Sequence, residues 1–199
     1  DGRQDPVARK VITYYPTPNS DAGPFFRNNY FVVSPETNTA NGMIAKVDHT
    51  FLEKHRIAVS YSFTNGLAGT AKFIPNAADS AAPDRNFSNL RGAVEYVFTA
   101  SPQSVNTATL EAVSDVSQNV SDLSGLPDQL GLKGVPGKAF PVISLGDYLP
   151  TGRNSPEARN ARNTYVLTDA WSLKLSKHNL RIVGQFARYQ INTFVPGVP

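Results

Sequence analysis

The 199-residue chain has no cysteine, which excludes a disulfide framework, a thiolate nucleophile and a Cys-ligated zinc. No run approaches the roughly eighteen apolar residues of a transmembrane helix. That excludes helical spans but not a membrane β-barrel, whose strands alternate and vanish in hydropathy averages. Charged residues make up only 18%, below the usual level of about a quarter in soluble domains. The net charge is +3 and no Lys/Arg cluster forms a nucleic-acid footprint, so nucleic acid is not an expected partner. The N-terminus, DGRQDPVARK, has neither a starting Met nor a signal-peptide apolar region, and it reads as an internal piece of a longer polypeptide. There is no GxSxG, HExxH, P-loop or dinucleotide fingerprint, so neither an enzyme nor a cofactor is expected.

What is present points to strands. Fourteen Gly and fifteen Pro supply turns, while eight Tyr and eleven Phe supply a surface suited to packing or to lipid. The first 41 residues read as an irregular segment, with a short helical pattern at Val7, Val11 and Ile12 that stops before Pro16. Between 42 and 193 the pattern becomes alternating. Met43, Ala45, Val47 and Phe51 share one parity, and Ile44, Lys46, Asp48 and Thr50 the other. The run after LEKH alternates again, with Ile57, Val59, Tyr61 and Phe63 against Ala58, Ser60, Ser62 and Thr64. A second hairpin runs through NLRGAVEYVFTA, SPQS and VNTATLEAVSD, and a third through TYVLTDAWSLKL, SKH and NLRIVGQFARYQ. Asp169 is the one polar residue on the apolar side of the fifth strand.

The spacing predicts about six strands in three hairpins, each strand of roughly nine to twelve residues, against the 9–11 or so of a tilted membrane strand. Turns within hairpins are short, whereas the connections at about 65–87 and 116–162 are long. Short turns on one side and long loops on the other are the layout of an antiparallel up-and-down outer-membrane barrel, with periplasmic turns and extracellular loops. FLEKHRIAVSY and KLSKHNLRIVG each place a Lys-His pair at such a turn, which makes His55 and His178 structural turn residues rather than metal ligands.

DPVARKVITYYPTPN, NNYF, AKVDHTFLEKHRIAVSYSF, LGLKGVPGKAFPVISLGDY and NTYVLTDAWSLKLSKHNLRIVGQFARYQ, in this order, resemble the barrel region of Oar-like TonB-dependent receptors. The resemblance spans nearly the whole chain. It implies a bacterial outer-membrane protein, a large barrel occluded by a plug domain, uptake of a solute, and partnership with outer-membrane lipid and the TonB complex. The plug, the TonB box and the closing strands are missing from this sequence, so residues 1–199 would be an internal part of the barrel.

Lys46, Asp48, Arg91, Glu95 and Glu111 share the polar parity and are the candidate lumen-facing residues, for contact with plug or solute or for pairing across strands. Tyr61, Phe63, Tyr96, Phe98, Tyr165 and Trp171 are expected in the aromatic girdle. His49 and Asp48 point to opposite faces and form no catalytic pair. The loop acids Asp79, Asp84, Asp122, Asp128 and Asp147 match no compact calcium loop. Two other arrangements fit the pattern less well: a receptor or adhesin barrel without active transport, and a soluble β-sandwich binding domain, in which loops of this length are uncommon.

Overall fold

A computed structural model describes residues 4–21, 27–120, 126–135, 140–152 and 158–195. Among the described residues six strands, β1 (Asn38–Phe51), β2 (His55–Ala68), β3 (Arg85–Ser101), β4 (Ser104–Asn119), β5 (Arg159–Leu175) and β6 (His178–Phe194), follow one another along the chain. They lie in one antiparallel sheet in the order β1-β2-β3-β4-β5-β6. This is an up-and-down barrel segment. The two-sheet sandwich is not what these strands form, because all six belong to the same sheet.

The register preserves the alternation read from the sequence. One row of paired residues runs Val47, Val59, Val94, Leu110, Leu167 and Phe186 across all six strands. All six of these side chains are exposed on the isolated sheet. The next row on the other face runs Asp48, Ala58, Glu95, Thr109, Thr168 and Gln185. A one-residue slip at any strand would exchange these two faces, so the hydrophobic pattern holds the register.

The short turns are Leu52–Lys54, closed by Phe51 opposite His55, then Pro102–Gln103, then Ser176–Lys177, closed by Leu175 opposite His178. Leu52 and Glu53 have φ of 51° and 55°, and Ser176 has φ of 52°. Positive φ values suit the right-handed twist of a hairpin, although each costs a residue with a side chain roughly 1–2 kcal/mol. The two Lys-His turns are equivalent in position: Lys ends the loop and His opens the return strand, with its side chain on the apolar parity. They differ in length, three loop residues against two.

The strands are longer than the alternation predicted, 14 to 17 residues each. β1 begins at Asn38 rather than 42, and β2 runs on to Ala68 while β3 starts at Arg85, which shortens the first long loop at both ends. β4 reaches Asn119 and β5 starts at Arg159, so the second loop shortens likewise. The extra residues are polar, such as Ser117, Gln118 and Asn119 opposite Phe87, Asn86 and Arg85. Backbone pairing continues there without any hydrophobic alternation to reveal it. At about 3.3 Å per residue these strands exceed the bilayer core and project beyond it on the long-loop side.

Among the described residues the buried hydrophobic cluster lies at the long-loop end. Helix α1 (Pro6–Ile12) is capped by Asp5, whose Oδ1 accepts from the amides of Val7 and Ala8 at 2.7 and 3.1 Å. Pro6 supplies the pre-set first helical position. Val11 of α1, Ala78 of the first long loop, Leu126 and Leu130 of α2 (Leu126–Leu130), and Phe140 beyond it form one buried cluster.

Candidate functional site

The polar face gathers the five candidate residues into ion pairs. Lys46 Nζ lies 3.3 Å from Asp48, and Arg91 donates to Glu111 at 3.0 Å across the β3–β4 pair. Arg56, which was not among the candidates, joins the rest: its guanidinium donates to Asp48 and stands 3.8 Å from Glu95. Its place in the polar parity of the run RIAVSYSFT was the available signal. Lys46–Asp48–Arg56–Glu95 is thus a ladder of alternating charge over β1, β2 and β3, with Arg91–Glu111 a second pair beside it. Asn89 donates to Asp115 on the same face. Between them stand Ala58, Ser60, Ser62, Ala93 and Thr109, all small. A face of small polar residues with matched charges is suited to a wet interior crowded by neighbouring strands.

The opposite face carries the aromatic side chains. Near the short turns Phe51, His55, Phe98, Asn106, Trp171 and Ile182 form a single row. His49, Phe51, His55 and Phe98 stack in succession, with centroid separations of 6.0, 5.4 and 4.9 Å. The His55 ring nitrogen and the Tyr96 hydroxyl are 2.6 Å apart. His49 therefore belongs to an aromatic stack and not to Asp48, which turns to Arg56. Tyr61 and Tyr165 share a second row farther from the turns, flanking Gly92 and Ala112, and Phe63 lies one row beyond. The two belts lie six to eight residues apart along the strands, roughly 20–27 Å at 3.4 Å per residue. Tilt brings that close to an apolar band about 25 Å tall bounded by aromatic girdles.

Asp169 remains on this face, and Asn106 Nδ2 donates to its Oδ1 at 2.7 Å. Trp171 Nε1 likewise donates to Ser104 Oγ at 3.0 Å. The Asp169 carboxylate and the Trp171 indole N–H are thereby each given a partner from the neighbouring strand.

At the long-loop end the sequence offered no hint that the loops would pack together. The Tyr14 ring meets Phe140 edge-on at 5.0 Å, and Tyr15 meets Tyr148 at 5.5 Å. Tyr15 donates to the carbonyl of Leu149 at 2.8 Å, and partial burial pushes its phenol above the usual value, opposed by a hydrogen bond with Thr151. Lys10 Nζ reaches the carbonyl of Gln129, and Asn76 Nδ2 that of Tyr14, at 2.8 and 2.7 Å. Gly152 donates to the carbonyl of Ala78 at 2.8 Å. With φ of 74°, and with a Cβ that would fall 2.1 Å from the Pro141 carbonyl oxygen, this position admits only glycine.

The loop acids are spread over separate contacts. Asp79 is buried and accepts from the amides of Phe73 and Ile74, both at 2.8 Å. Asp84 pairs with Lys72 at 2.7 Å and Asp147 with Arg27 at 2.8 Å, while Asp128 sits in α2. Asp122 lies outside the described residues.

An exposed apolar row six strands wide is far more than a soluble monomer leaves to water, while the opposite face is polar and carries ion pairs across β1 to β4. These two faces, with short turns at one end and long loops at the other, define a membrane-spanning β-barrel wall. The sequence agrees: a family model described as an outer membrane beta barrel domain matches residues 1–199, and the chain belongs to that family. Its place is the bacterial outer membrane, with the apolar face toward lipid and the short turns periplasmic. No curated protein and no solved structure matches the chain.

Proposed function

We propose that this chain is part of a TonB-dependent outer-membrane transporter, forming a stretch of barrel wall together with extracellular loops that capture a solute. The observation that supports it best is the packed assembly at the extracellular end, where α1 and segments of both long loops share one core around Phe140. Ordered loops present a defined surface at the barrel mouth, and a barrel that only anchored itself would not require it. The Oar-like resemblance supplies the further parts of this reading: a plug domain in the lumen, and the TonB complex as the source of energy. No residue of the chain is assigned a catalytic role.

The test is uptake by intact cells producing the complete protein, using radiolabelled iron-siderophore, oligosaccharide and peptide in turn. One of them should enter only in cells carrying the gene, and entry should collapse when a proton ionophore discharges the inner membrane. Entry that persists with the ionophore would refute energy coupling. Surface binding with no entry of any solute would instead favour a receptor or adhesin barrel.

A further inference from the structure

The charges of the polar face are not treated alike along the sheet. In the middle of β1 to β3 the cations Lys46, Arg56 and Arg91 each have a carboxylate within 4.0 Å, while Arg85, at the long-loop end of β3, makes no ion pair among the described residues. On β5 and β6 the same parity carries Lys174 and Arg181 near the periplasmic turns, and among the described residues neither makes an ion pair. These two line a recess of about 300 Å³ with Gln103, Val105, Ser172 and Asn179. Lys174 pairs with Asn179, and Ser172 with Arg181, so the two cations occupy diagonal positions on neighbouring strands.

We propose that this recess is a docking site for an acidic peptide segment presented from the periplasmic side of the lumen. Diagonal neighbours on adjacent strands lie roughly 7–8 Å apart, and alternate side chains of an extended peptide repeat at about 6.6–6.8 Å. Two carboxylates at positions i and i+2 therefore match Lys174 and Arg181. The amides of Gln103 and Asn179 each offer both a donor and an acceptor for the peptide backbone between them. Val105 supplies an apolar floor. A free small anion would need an enclosing set of donors, whereas this recess opens along the sheet and suits a chain. Of the carboxylates of the same face, Asp48, Glu95 and Glu111 are already engaged by Lys46, Arg56 and Arg91, and Asp115 accepts from Asn89 far from the turns. The site does not depend on the uptake reading, since it needs only the polar face and the short-turn end.

The experiment uses the full chain folded in detergent micelles and a fluorescein-labelled peptide of alternating aspartate and glycine, read by anisotropy. The peptide should bind, and the double variant K174Q/R181Q should weaken it at least tenfold. K46Q/R91Q should change it less than twofold. A lysine-glycine peptide that binds as well, or a double variant that binds unchanged, overturns the proposal. Glutarate that displaces the peptide at equal carboxylate concentration overturns the choice of a peptide over a small anion. A second measurement needs no variant: carbodiimide coupling of the peptide to the wild-type chain, mapped by mass spectrometry. It should place the adduct at Lys174. Adducts spread evenly over Lys54, Lys72, Lys133 and Lys177 would contradict it.

Discussion

Replacing Phe140 by alanine should open the extracellular loop assembly and leave the sheet intact. Phe140 is fully buried and touches Tyr14 edge-on at 5.0 Å. Truncating a buried Phe costs about 3–5 kcal/mol, the transfer term and the cavity together, and the lost aromatic pair accounts for about 0.5–1.5 kcal/mol of it. Among the described residues the cluster has four other buried members, Val11, Ala78, Leu126 and Leu130. Each large one contributes about 1.5–3 kcal/mol before the entropy of ordering the loops is subtracted. A loss of about 3 kcal/mol shifts the opening equilibrium by about 150-fold. Hydrogen exchange reads this directly: the amides of Ile143, Thr151 and Gly152, which bond within the assembly, should exchange at least a hundredfold faster. Ladder amides such as that of Val59 should keep their protection, because strand pairing does not pass through Phe140. Unchanged loop amides would refute the claim that this core holds the loops. Equal acceleration in the ladder would refute its independence from the sheet.

Other outcomes follow from the two faces and the loops. Leu167→Arg at the centre of the apolar band should destabilise the folded chain in bilayers by about 2–4 kcal/mol, whereas Thr168→Arg, one residue on and facing the lumen, should be close to neutral. Urea unfolding of the two variants in lipid vesicles compares them, and equal losses would contradict the assignment of faces. Arg56 and Asp48 are both substantially exposed on the polar face, so a double-mutant cycle of Arg56→Gln and Asp48→Asn should give a coupling of about 0.2–1 kcal/mol. A coupling of several kcal/mol would mean that the pair is sealed from water. The raised phenol of Tyr15 favours the folded loops most below pH 10.0, its ordinary value, and that contribution is lost as pH climbs through the higher folded value. Protease cutting of the loops should therefore increase above pH 10, and Tyr15→Phe should remove that increase. Cutting that rises equally in both would assign the effect to other groups.

The parts of the fold legible in the sequence are those in which neighbouring positions carry the information. Val59, Tyr61 and Phe63 against Ser60, Ser62 and Thr64 announce a strand and both its faces, because side chains alternate with a period of two. The shared parity of Lys46, Asp48, Arg91, Glu95 and Glu111 is legible for the same reason, and the five form cross-strand or same-strand pairs. Arg56 escaped because it follows directly on the turn, where a charge reads as turn solvation. The strand ends escaped because Ser117, Gln118 and Asn119 pair through their backbones alone. The loop core was hidden for a different reason. Val11 comes from α1, Ala78 from the first long loop, and Leu126, Leu130 and Phe140 from the second; no period connects these three regions, and their meeting is decided in three dimensions.

The face carrying Val47, Val59, Val94, Leu110, Leu167 and Phe186 meets lipid. The chain has one tryptophan, and Trp171 lies on that face at the belt near the short turns. The measurement is its fluorescence in bilayers of brominated phospholipid, compared with quenching by iodide in the aqueous phase. Strong quenching by bromine near the ends of the acyl region and little by iodide is expected. Quenching by iodide, with none from brominated chains, would place this face in water and contradict the barrel assignment.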